Sequence, residues 1–72
     1  MTMAYIRRFY GVPCRRGARI RMLWPDPENP RTGTVIASRD ARIMVRFDGE
    51  RRTRLLHPAW CVEWLLAEQV AT

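Results

Sequence analysis

The sequence predicts an all-β domain in which five short strands close on themselves as a small barrel. Three observations carry that expectation: short runs of alternating polar and apolar residues, turn-formers between the runs, and a length of 72 residues, which makes one domain. A chain this short buries only a modest share of its surface, and closing a short sheet lets one thin core serve every strand. With 47% hydrophobic residues, among them three Trp, two Tyr and two Phe, the composition is that of a folded chain rather than a disordered one. The barrel core is expected over about residues 12–66, with an N-terminal arm, 1–11, and a C-terminal tail, 67–72.

Tyr5 to Tyr10 reads as a peripheral first strand or an arm, ended by Gly11 and Pro13. Ala18 to Trp24 alternates cleanly, with Ala18, Ile20, Met22 and Trp24 facing the core and Arg19 and Arg21 facing out. Pro25 to Thr32 holds Pro25, Pro27 and Pro30, which forbid a helix and a central strand, so an exposed loop is expected there. Gly33 to Ser38 is the next strand, rich in β-branched residues. After a short turn at Arg39-Asp40-Ala41, Arg42 to Phe47 alternates again, with Ile43, Val45 and Phe47 inward and Arg42, Met44 and Arg46 outward.

Asp48-Gly49 marks a hairpin whose register follows from side-chain parity. A two-residue loop would set Arg52 and Arg54 opposite Val45 and Ile43, on the core face. A three-residue loop, Phe47-Asp48-Gly49 with Gly49 left-handed, pairs Arg46 with Glu50, Met44 with Arg52 and Arg42 with Arg54 outside, and Ile43 with Thr53 inside. That register buries no charge, keeps Leu55 on the inner face, and is the one predicted. His57-Pro58-Ala59 then breaks the chain as a turn or a single 3₁₀ turn. Cys61 to Leu65 follows as a closing strand, because the meander needs a partner to cover its edge. The competing reading of 59–70 is an amphipathic helix opened by Pro58 and carrying Trp60, Cys61, Trp64, Leu65 and Glu68, which would leave a short helical segment at the C-terminus.

These elements resemble the SH3-like barrel group, and within it the KOW-like and phage-borne small barrels. The residues that carry the resemblance are Gly17-Ala-Arg-Ile-Arg, the proline-rich loop, Arg31-Thr-Gly-Thr-Val-Ile, Val45-Arg-Phe-Asp-Gly-Glu and His57-Pro-Ala-Trp-Cys-Val-Glu-Trp-Leu. What this implies is a fold, and a fold alone does not specify an activity. The run from Pro58 to Glu63 is also similar to the last-strand region of the small trimethoprim-resistant dihydrofolate reductases. Those enzymes build their pore from a Val-Gln-Ile-Tyr run, where this chain has Arg54-Leu55-Leu56-His57, without the Gln or the Tyr that would hold folate and nicotinamide. The similarity therefore implies shared fold only.

The formal charge is +6, from thirteen arginines against seven acids, with no lysine. Two explanations compete for the choice of Arg over Lys, phosphate recognition and, the favoured one, a GC-rich coding sequence; on either, the surplus charge is a property of the surface and attracts polyanions. Arg42, Arg46, Arg52 and Arg54 are expected on one hairpin, with Arg19 and Arg21 on a neighbouring strand. Such a face suits phosphate, since guanidinium groups bind it bidentately and release counterions. The bland reading is a solvated sheet face partly neutralised by Glu50 and Asp40. Arg7, Arg8, Arg15 and Arg16 suggest a basic arm or a solubilising tail.

Tyr5, Phe9, Tyr10, Trp24, Trp60 and Trp64 are candidates for a stacking platform for single strands, although Trp24 is expected in the core and at least one of Trp60 and Trp64 with it. An exposed Trp beside the proline-rich loop would resemble the peptide groove of true SH3 domains, but the paired tyrosines of that groove are lacking.

Catalytic and metal chemistry find no support in the pattern. His57 is the sole histidine and suits a turn, hydrogen-bonded to backbone. The acids are dispersed, no phosphate-binding glycine loop occurs, and Cys14 and Cys61 stand alone, outside any zinc-binding spacing and expected as free thiols, with a disulfide between them the lesser alternative should a barrel bring the chain ends together. The N-terminus lacks the apolar run of a signal peptide, and no stretch reaches the length of a membrane span. The expectation is a non-enzymatic, cytoplasmic binding module without cofactor or metal. Its predicted nucleic-acid contacts, to DNA or RNA, are Arg19, Arg21, Arg42, Arg46, Arg52 and Arg54, and the rival expectation is a protein-interaction or assembly module.

Overall fold

The computed structural model describes residues 2–65. It contains one short helix, α1 (Met3–Tyr10), followed by five strands: β1 (Arg19–Met22), β2 (Arg31–Arg39), β3 (Arg42–Phe47), β4 (Thr53–Leu56) and β5 (Val62–Leu65). All strands are antiparallel and form one sheet in the order β4-β3-β2-β1-β5. The first four strands thus make a meander, and β5 returns to the free edge of β1.

The strands form because their apolar residues repeat with period two. Ile20 and Met22 of β1, Val35 of β2, and Ile43, Val45 and Phe47 of β3 are buried on the inner face, and Ile6 and Cys14 complete the cluster. Gly33 has a packing reason. A Cβ there would lie 2.7 Å from a Val45 methyl group and 2.9 Å from the Arg46 carbonyl oxygen, so only glycine lets β2 and β3 approach this closely. A bulge between Val35 and Ala37 interrupts the β2–β3 ladder, which resumes at Ala37↔Met44. Pro25 to Pro30 is exposed, as expected, but Arg31 and Thr32, expected in the same loop, already belong to β2. The Trp24–Pro25 peptide bond is cis.

The N-terminal segment differs from the expected strand or arm. Thr2 caps α1 by accepting a hydrogen bond from the Tyr5 amide, and Gly11, left-handed at φ 66°, ends it with an N–H bond to the Arg7 carbonyl. Met3, Ile6 and Tyr10 share the face turned to the sheet, a helical rather than an alternating spacing. Arg7 reaches from the helix to the Cys14 carbonyl (2.8 Å), and Arg16 reaches the Ile36 carbonyl in the β2 bulge (3.2 Å). Two of the arginines expected in a free arm therefore tie the segment to the body of the fold.

The β3–β4 hairpin also departs from expectation. Gly49 is left-handed as predicted, at φ 85°, and the Glu50 amide bonds to the Phe47 carbonyl at 3.0 Å. The ladder, however, starts at Arg46↔Thr53 and runs through Val45↔Arg54 and Met44↔Leu55 to Ile43↔Leu56. Glu50, expected opposite Arg46, instead lies in the connection 48–52 and pairs with Arg31 and Arg54. Because the offset is odd, β4 turns over: Leu55, expected inside, is half exposed, and Leu56 packs on the core. Arg54 falls on the inner side, yet β4 is the sheet edge, so its guanidinium leaves the core and remains exposed. Parity forbids an inward arginine only where the strand is covered on both flanks.

Beyond β4, His57 to Trp60 forms the expected turn, and β5 is a strand rather than part of a helix. Trp64 on β5 packs against the core and donates its indole N–H to the Pro58 carbonyl at 2.9 Å. The predicted tail, and any helical continuation after residue 65, lie outside the described residues. Both cysteines are free thiols.

Candidate functional site

The outer face of the sheet is set by the register. Cross-strand rows place Arg19 of β1 beside Thr34 of β2, Thr34 beside Arg46 of β3, and Arg21 beside Glu63 of β5. At the far end of the β2–β3 hairpin, Arg39 and Arg42 face each other across the Asp40-Ala41 turn. The like-charge pair expected between Arg42 and Arg54 does not form, because Arg54 pairs with Val45; Arg42 instead faces a like charge in Arg39. The predicted set does not contain this residue. Its signal was available, since a two-residue turn at Asp40-Ala41 makes Arg39 and Arg42 direct partners.

Acids neutralise part of the predicted set. Arg19 grips Asp48 with both terminal nitrogens, at 2.8 and 2.6 Å, and donates to the Thr34 hydroxyl at 2.7 Å. These bonds hold the Asp48 carboxyl below its usual range and raise the Arg19 guanidinium. Arg21 meets Glu63 at 2.8 Å, and Arg54 meets Glu50 at 3.1 Å. By contrast, Arg42, Arg46 and Arg52 form no ion pair among the described residues, and neither does Arg39. Arg42 and Arg46 lie on the outer face of β3, whereas Arg52 lies in the β3–β4 connection. The six predicted residues are therefore not one continuous face: of them only Arg42 and Arg46 are unneutralised on the outer face of the sheet, where Arg39, outside the predicted set, joins them. An anion between Arg39 and Arg42 would relieve their repulsion, since each guanidinium offers planar paired donors.

A second feature was not expected. Trp24, predicted inward by the phase of its strand, is 56% exposed. β1 ends at Met22, where the Leu23 amide bonds to the Cys61 carbonyl at 2.8 Å, and strand parity loses its meaning past that point. Trp60, in the turn before β5, is 52% exposed, and its ring centre lies 5.9 Å from that of Trp24 with the planes tilted by 48°. The pair borders a groove of about 460 Å³ whose wall also includes Arg42, Leu55, Leu56 and His57. A turn histidine was expected to bond to backbone, and His57 does so: its Nδ1 accepts from the Ala59 amide at 3.0 Å. The sequence signal for both exposed tryptophans is their position next to turns, Trp24 preceding Pro25 and Trp60 two residues after Pro58.

No membrane-spanning helix occurs among the described residues. Comparison with protein-family models, curated proteins and solved structures returns no match.

Proposed function

We propose that this chain is a non-enzymatic, SH3-like binding module that engages nucleic acid through the basic outer face of the β2–β3 hairpin. The observation that carries the reading is the cluster of Arg39, Arg42 and Arg46, without acidic partners among the described residues, on a chain of net charge +6. Arg19 shares a cross-strand row with Arg46, and Arg21 lies two residues further along β1, away from the β2–β3 turn; each already holds a carboxylate, so their contribution to phosphate binding is smaller. The SH3-like part of the reading is supported by the four-strand meander with a fifth strand returned to β1 after a proline turn. A phage or prophage origin and a cytoplasmic location belong to the same reading.

Titration of a short DNA at two salt concentrations tests it. Micromolar binding is expected at low salt. If three phosphates are neutralised, affinity falls roughly 20- to 40-fold between about 50 and 200 mM salt. Absence of binding at low salt would overturn the reading. A second reading, an assembly or protein-interaction module, is favoured by the Tyr5–Phe9 stack on the outer side of α1, where Phe9 is 65% exposed and the rings lie 5.5 Å apart. A stable oligomer in sedimentation, with no affinity for nucleic acid, identifies that case.

A further inference from the structure

The groove beside Trp24 and Trp60 differs in chemistry from the arginine face, yet the two meet at Arg42. The groove offers aromatic surface: both indoles are more than half exposed, with their planes tilted by 48°. It continues into a smaller hollow of about 130 Å³ that shares Met22, Trp24 and Leu56 and adds Phe47, with Arg31 and Arg54 at its border. The Arg31 guanidinium lies 4.3 Å from the centre of the Phe47 ring. No Asp or Glu lines either hollow, and the charged side chains that do are arginines.

Proline-rich peptides and unpaired bases both dock on exposed aromatic rings in a groove. Charge decides between them. Arg31 and Arg54 share Glu50, whereas Arg42 lacks an acidic partner among the described residues, and its uncompensated charge at the groove favours a polyanion over a peptide with basic flanks. From this, and resting on the nucleic-acid reading above, we infer that the groove is a single-strand site. Trp24 and Trp60 stack on unpaired bases, and Arg42 holds the phosphates of the strand as it passes onto the outer face. Bases inside a duplex are covered by their neighbours, so this site discriminates against duplex while the arginine face alone does not.

The test measures anisotropy of a labelled ten-residue oligothymidylate and of a duplex of equal length, at low salt. The oligothymidylate is expected to bind tighter than the duplex and to quench tryptophan fluorescence. Combined Trp24→Ala and Trp60→Ala substitution is expected to weaken oligothymidylate binding by about 5- to 150-fold for each base stacked, leaving duplex binding unchanged. Trp24→Phe with Trp60→Phe retains aromatic faces and is expected to restore most of the affinity, which separates stacking from any loss of folding. Equal binding of both nucleic acids, unaffected by the alanine variant, overturns the single-strand inference and leaves the nucleic-acid reading standing. Failure to bind either nucleic acid overturns both. A decaproline peptide that quenches the tryptophans and is not displaced by oligothymidylate also overturns the inference, by giving the groove to a peptide.

Discussion

Gly33 shows how much a single atom decides in a chain this small. The position faces the core, where a methyl group would press on the Val45 side chain and on the backbone oxygen of Arg46. The side chain can rotate, but the backbone oxygen cannot yield without disturbing the β2–β3 ladder. Gly33→Ala is therefore expected to destabilise the fold by about 1–3 kcal/mol, read as a lower urea midpoint. Asp48 and Arg19 pose a different question, because their contact is exposed and its strength is electrostatic. The folded chain lowers the Asp48 carboxyl, so in mild acid the unfolded chain binds the extra proton. The pair's contribution is complete above the ordinary Asp range, near pH ~3.9, and is lost as pH falls through the lower folded value. Asp48→Asn is expected to lower the urea midpoint at neutral pH, by no more than about 1 kcal/mol, with the difference shrinking as the pH falls below that range. The two cysteines should differ in reactivity. Burial pushes the Cys14 thiol up and shields it, whereas Cys61 is half-buried, so alkylation of the native protein is expected at Cys61 first.

At the scale of elements, α1 and β4 are where local reasoning and tertiary context part. A helix of eight residues is shorter than the ~12–15 that stand alone in water, so α1 depends on what it packs against. Its anchor is Ile6, fully buried in the sheet's core cluster. Ile6→Ala is expected to cost about 2–5 kcal/mol and to remove helical circular dichroism together with the sheet's cooperative transition. Loss of the helical signal alone, with an unchanged sheet transition, would show α1 to be an appendage. Thr2 and Gly11 cap α1, and Met3, Ile6 and Tyr10 stand at helical spacing, but a short run of aromatics and arginines also suits a strand, which is how the sequence reads. For β1 and β3 the alternating pattern sufficed, because a core lies on one side and solvent on the other. In β4 that contrast fails. An edge strand lets Arg54 sit on the inner side with its charged end outside, so parity did not select the register.

For the molecule as a whole, the charge total overstates the surface available to an anion. Asp48, Glu50 and Glu63 are spent on Arg19, Arg31, Arg54 and Arg21, and the unneutralised cations of the sheet face gather at the β2–β3 hairpin. On the nucleic-acid reading, replacing Arg42 and Arg46 together by Ala is expected to reduce the slope of log affinity against log salt by roughly 1.4–1.8, the share of two phosphate contacts. An unchanged slope in the same titration would place the contacts elsewhere on the surface.

What the sequence determined by itself was the β character of the chain, the inward faces of β1 and β3, the proline loop and the surplus of arginine. Each of these depends on residue type and on spacing along one strand, where local sterics and polarity act without help from the rest of the chain. Tertiary structure alone decided the register of β4, the docking of α1, which arginines keep their charge unshared, and the meeting of Trp24 with Trp60. Those outcomes depend on groups far apart in sequence: Glu50 with Arg31, Arg19 with Asp48, Leu23 with Cys61. Such pairings arise when chain closure brings distant residues together, and no periodicity within a single segment encodes them.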